Sequence, residues 1–139
     1  MNEAGTLVCT AGEYDGTIGV HTLDASGKPS TQLFIRLADD LPSNWDWDDK
    51  RKGIEPEEVV IAEAGGKSFV LTTLQDAGAV VVYDITDPAN PKYDSGAITE
   101  LNDYTSQTDG ESIGEPEGLA FKNGYVLVSN GDDPSVALL

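Results

Sequence analysis

The stretch GIEPEEVVI at 53–61 is echoed at 113–121 by IGEPEGLAF, so a Glu-Pro-Glu triplet running into apolar residues recurs sixty residues on. Recurrence of this kind constrains a fold more than any single motif. A repeated unit that cannot bury its apolar face alone must stack on its neighbours. The segment after the first triplet, FVLTTLQDAGAVVVYDI at 69–85, has two further copies. LVCTAGEYDGTIGVHTL stands at 7–23, sixty-two residues upstream without a gap, and YVLVSNGDDPSVALL stands at 125–139, fifty-six residues downstream. Each copy opens with a short apolar run, passes through an acidic turn of small residues, and continues in a second apolar run. Gly16 and Gly78 occupy the same place in the turn, and Pro134 takes it in the third copy.

Alternating β-branched residues bounded by Gly, Asp and Asn are the pattern of β-hairpins. The turns are expected at 14–16, 76–78 and 131–134. The Glu-Pro-Glu segments precede the second and third hairpins, and a strand's first residues can forgo the amide that proline lacks. After the second hairpin, TDPANPKYDSGAI forces a turn through its Asp-Pro and Asn-Pro steps, and a short fourth strand is expected over 93–98. The unit is then four antiparallel strands in about sixty residues, a blade of the β-propeller type. On this reading the chain is all-β and forms one propeller segment. It holds a partial blade at 1–40, a complete blade at 54–99 and the start of another at 113–139, fewer than three blades and hence an open fragment of a longer propeller.

The second blade resembles the propeller repeat of the choice-of-anchor I family, on EPEEVVI and EPEGLAF. VVVYDITDPANPK is similar to LVIVD-type repeats, and the blade also resembles YVTN-type repeats of bacterial surface proteins. The resemblance leaves out the linkers at 31–52 and 100–112. It implies an extracellular or cell-surface module that binds a partner or serves as a scaffold. Some related propellers are esterases, phytases or lactonases that hold calcium over the central channel. A fragment of such a Ca²⁺-dependent hydrolase is therefore the alternative that the resemblance implies.

Charge narrows the partners. With 25 Asp and Glu against 8 Lys and Arg, the net charge of −17 repels phosphate backbones, so nucleic acid is not an expected partner. No apolar run is long enough for a membrane span. One cysteine, Cys9, excludes an intrachain disulfide and a cysteine-based zinc cluster. It aligns with Leu71 and Leu127 and reads as a small core residue. The single histidine, His21, aligns with Tyr83, cannot form a multi-histidine metal site, and without a plausible nucleophile beside it is assigned no catalytic role.

Two candidate sites follow. Strand-start glutamates and hairpin turns belong on one face of a propeller, which gathers Glu57 and Glu117 with Glu13, Asp15, Asp76, Asp132 and Asp133. Several carboxylate oxygens at a channel mouth suit Ca²⁺, with Glu57, Glu117, Asp15, Asp132 and Asp133 as ligands. The plainer role of such glutamates, favoured for Glu55 and Glu115, is to cap strand starts or accept backbone amides. In the linker LPSNWDWDDKRK, Trp45 and Trp47 alternate with Asp46, Asp48 and Asp49. Rings beside carboxylates suit a carbohydrate surface, though such rings more commonly plug a seam between blades.

Overall fold

The computed structural model describes residues 1–41, 54–75, 77–95, 99–100, 115–131 and 136–138. Each apolar run flanking an acidic turn is a strand, because its alternation lets one row of side chains face a neighbouring sheet. The first hairpin is β1 (Leu7–Gly12) and β2 (Thr17–Leu23), extended by β3 (Pro29–Arg36) in the order β1-β2-β3. The central sheet runs β4 (Pro56–Ala64), β5 (Lys67–Leu74), β6 (Ala79–Asp84). Two short segments then pair with β6, β7 (Lys92–Tyr93) at one end and β8 (Thr99–Glu100) at the other. The third sheet has the order β11-β10-β9, from β9 (Pro116–Lys122), β10 (Tyr125–Asn130) and β11 (Val136–Leu138).

All of these pairings are antiparallel. The described residues contain no α-helix, only 3₁₀ turns at Glu13–Asp15 and Leu37–Asp39, and among them no helix could cross a membrane. The chain is therefore all-β, built from small antiparallel sheets. The expected hairpin turns fall between β1 and β2, β5 and β6, and β10 and β11. The fourth strand of the central sheet, expected as one piece over 93–98, begins at Lys92 and is met again at Thr99, while 96–98 lie outside the described residues. β3 falls largely within what reads as linker, because its exposed Ser30, Thr31 and Gln32 hide the strand period.

The hairpins that join β4 to β5 and β9 to β10 are of one kind. Gly65-Gly66 (φ 58° and 76°) and Asn123-Gly124 (φ 53° and 83°) both turn in two residues with positive φ. This geometry matches the right-handed twist of paired strands and favours Gly and Asn.

Packing follows the two-residue period of the central sheet. Val70, Leu74, Val81 and Tyr83 join Leu7, Ile18 and Val20 of the first sheet in one buried cluster, with Cys9, Val59 and Ile61 packed against it. Leu71, Val80 and Ala62, from the other face, join Leu119 and Val128 of the third sheet, with Val60, Phe69, Val82, Phe121 and Val126 at the margin. Neighbouring residues of β5 and β6 thus serve opposite interfaces. Each fully buried aliphatic side chain contributes about 1.5–3 kcal/mol.

Candidate functional site

The two Glu-Pro-Glu segments begin their strands in the same way. Pro56 pairs with Leu74 and Pro116 with Asn130, and in each strand a register shift follows the proline. One backbone bond recurs beside it. The Gln75 amide donates to the Glu55 carbonyl at 3.0 Å, and the Gly131 amide donates to the Glu115 carbonyl at 2.8 Å. The glutamate before proline therefore accepts an amide from the hairpin turn of its own sheet. Glu55 does so with a φ of 43°, its residue only 2% exposed.

These strand starts also meet the preceding hairpin turn. Gly16, at the β1–β2 turn, lies within van der Waals reach of Ile54, where a Cβ would come within 3.7 Å of the Ile54 side chain. At the next hairpin turn, Gln75 Nε2 donates to Glu115 Oε2 at 3.3 Å. Turns and strand starts therefore share one rim of the stacked sheets.

A buried hydroxyl links two of the strand starts. Thr73, fully buried, accepts the Glu58 amide on Oγ1 at 3.1 Å and donates to the Glu117 carbonyl at 3.5 Å. Its neighbour Thr72, also fully buried, donates to the Glu58 carbonyl at 2.9 Å. The register shift after Pro56 thus takes backbone groups out of the ladder, and the threonines bond them instead. Asn130 completes the rim by accepting the Glu115 amide on Oδ1 at 3.0 Å.

Of the expected ligands, Glu57, Glu117 and Asp15 are described, at strand starts and a hairpin turn. Glu57 is half-buried and Glu117 exposed, at matching places in β4 and β9, and these two strands pack together. The Glu117 carboxylate lies over Gly131, where an added Cβ would come within 2.5 Å of it. Asp15 is exposed, and its carboxylate folds back over Gly12, with Oδ1 only 2.8 Å from where a Cβ would stand. Asp76, Asp132, Asp133, Trp45 and Trp47 lie outside the described residues. Among the described residues no three or more His, Cys, Asp or Glu side chains are grouped to hold a metal ion.

Other polar groups sit away from the rim. His21 lies over Gly19 on the outer face of the first sheet, 3.4 Å from Thr10 Oγ1 and edge-on to Phe34. Cys9 is half-buried, and burial pushes its thiol up to about 11 against the small opposing effect of the amino terminus. Tyr83 donates to Asp40 at 3.2 Å; burial first, then the Asp40 charge, raises its hydroxyl far above the usual range. At the far end of β4 and β9 an open groove of about 590 Å³ is lined by Asn2, Glu3, Glu63, Phe121, Lys122 and Asn123, among others.

Sequence reasoning missed the threonine bridge and the Gln75–Glu115 bond. Consecutive threonines in a strand signal only β-propensity, and nothing in their spacing tells which backbone groups a register shift will free. Comparison with known protein families, characterised proteins and solved structures gives no significant match to this chain.

Proposed function

We propose that this chain is a β-propeller-type repeat module of an extracellular or cell-surface protein, in which stacked blades form a scaffold that presents its rim to a partner. The observation that carries this reading is the recurrence, in two sheets, of a strand start of one construction. Proline opens the strand, a register shift follows, and the preceding glutamate accepts an amide from the hairpin turn. Two unrelated sheets have no reason to share all three. The resemblance to choice-of-anchor I and LVIVD-type repeats supplies the setting, and the acidic rim supplies the surface, suited to cationic partners or to Ca²⁺.

Two experiments test the proposal. A crystal structure is expected to show the three sheets radiating about a common axis with Glu57 and Glu117 toward it; parallel layers as in a sandwich would refute the blade assignment. Turnover of phosphate or carboxylic esters or lactones at millimolar Ca²⁺, lost in Glu57→Gln and Glu117→Gln, would replace the scaffold role by the hydrolase alternative.

A further inference from the structure

The outer face of the third sheet repeats a face that is already an interface. Leu71 of β5 stands opposite Val82 of β6, and one repeat later Leu127 of β10 stands opposite Leu138 of β11. Phe69, Leu71 and Val82 pack against the third sheet, which covers them with Leu119, Phe121, Val126 and Val128. Tyr125, Leu127 and Leu138 hold the corresponding positions and face the other way. Leu71 is 6% exposed, whereas Tyr125, Leu127 and Leu138 are 60%, 46% and 62% exposed. The interface between first and central sheets uses the same positions, with Leu7, Cys9 and Val20 facing the central sheet.

We infer that the face formed by Tyr125, Leu127 and Leu138 is the seat of a further antiparallel sheet of the same repeat, supplied from outside these 139 residues and not by a second copy of them. The inference rests on the repeat reading above. It continues, in register, an interface that occurs twice within the chain. The occupant must present an apolar row where the third sheet presents Leu119, Phe121, Val126 and Val128.

At its open end a second copy offers Val8 and the 62% exposed Phe34, but polar or small residues interrupt them where the row should run. The positions filled by Val70, Thr72, Val81 and Tyr83 in the central sheet are Val8, Thr10, Gly19 and His21 in the first. Thr10 and His21 are hydrogen-bonded to each other there, and exposed Gln32 stands opposite His21. Stacking this face on Leu127 and Leu138 would strip water from Gln32 and from the remaining hydrogen-bonding capacity of Thr10 and His21, and the apolar face offers nothing in its place. Pairing two third sheets face to face would bring together two chains of charge −17.

The sequence itself provides a probe. Leu139 aligns with Tyr83, so a chain extended after Leu139 by a copy of its own residues 84–139 continues the repeat and adds a sheet of the third kind. The double substitution Leu127→Ser, Leu138→Ser is made in the parent and in the extended chain, with Leu71→Ser in the parent as control. In the parent the double variant is expected to melt within about 2 °C of the unsubstituted chain. In the extended chain it is expected to lower the melting temperature by roughly 5 °C or more, and the unsubstituted extension to slow amide exchange in β10. An extended chain indifferent to the double variant, or whose added residues stay unstructured, overturns the inference. So does a parent that sediments as a dimer and dissociates on the double substitution, or a parent that the double substitution itself destabilises. If Leu71→Ser proves harmless in the parent, the repeat reading fails instead.

Discussion

Thr73→Val should destabilise the protein although it makes a buried side chain more apolar at nearly unchanged volume. The hydroxyl is the acceptor for the Glu58 amide, at 3.1 Å, and Thr73 is 0% exposed, so no water can replace it from that side. The bond is part-buried, and a donor stripped of its acceptor there costs about 1–3 kcal/mol. The Glu117 carbonyl loses a weaker bond of 3.5 Å, and a carbonyl tolerates partial satisfaction better than an amide does. The added methyl returns at most about 0.8 kcal/mol, leaving a net loss of ~1–2 kcal/mol. For 139 residues that corresponds to a melting temperature lower by roughly 3–10 °C. Thr72→Val should cost less, because the Thr72 hydroxyl only donates, shared between the Glu58 carbonyl at 2.9 Å and the Thr73 carbonyl at 3.2 Å. Urea unfolding followed by circular dichroism gives the free energies, and hydrogen exchange at Glu58 locates the effect. A Thr73→Val variant as stable as the parent, or the reverse order of the two variants, would refute the bridge.

Cys9 should resist alkylation at pH 8 in the folded protein and react promptly in urea. Because burial raises its pKa to about 11, folding stability should decline as pH rises from about 9 towards 11, and Cys9→Ala should remove that part of the decline. Asp84, hydrogen-bonded to Thr86 and Lys67, titrates well below the usual carboxylate range, so its contribution is present at neutral pH and fades as the pH falls below about 4; acid unfolding of Asp84→Asn should show a smaller pH dependence there. Millimolar Ca²⁺ should raise the melting temperature of the parent but not of Glu57→Gln, and an unchanged parent curve would leave the rim acids as surface charge. Raising NaCl from low ionic strength to 0.5 M, roughly the range over which the Debye length shrinks below 5 Å, should stabilise a chain of charge −17.

The hairpins were legible because alternation and small acidic turns are local signals that packing reinforces. The strand starts were legible because proline tolerates few other places in a sheet. β3 was not, since an edge strand whose early side chains face water needs no apolar period. The Asn123-Gly124 turn carries a strong local signal, Asn-Gly between apolar runs, that fixes the β9–β10 register. The site was legible only as a neighbourhood. The shared rim follows from topology, whereas the direction of each carboxylate depends on close contacts such as Asp15 over Gly12 and Glu117 over Gly131, which no spacing rule encodes. The threonine bridge lies deeper still, because it exists only once a register shift has freed the Glu58 amide.

The opposed faces of β5 and β6 also decide how a disturbance travels. Val70 answers to the first sheet and Leu71 to the third, so each outer sheet is held by its contact with the centre. With this packing, stability should approximate the sum of each sheet and its contacts with the centre. Unravelling should then begin at either outer sheet, independently of the other, and amide exchange should slow inward from both ends. A lesion in the central sheet is different in kind, since it cuts two couplings at once and uncovers the apolar face of each three-stranded outer sheet.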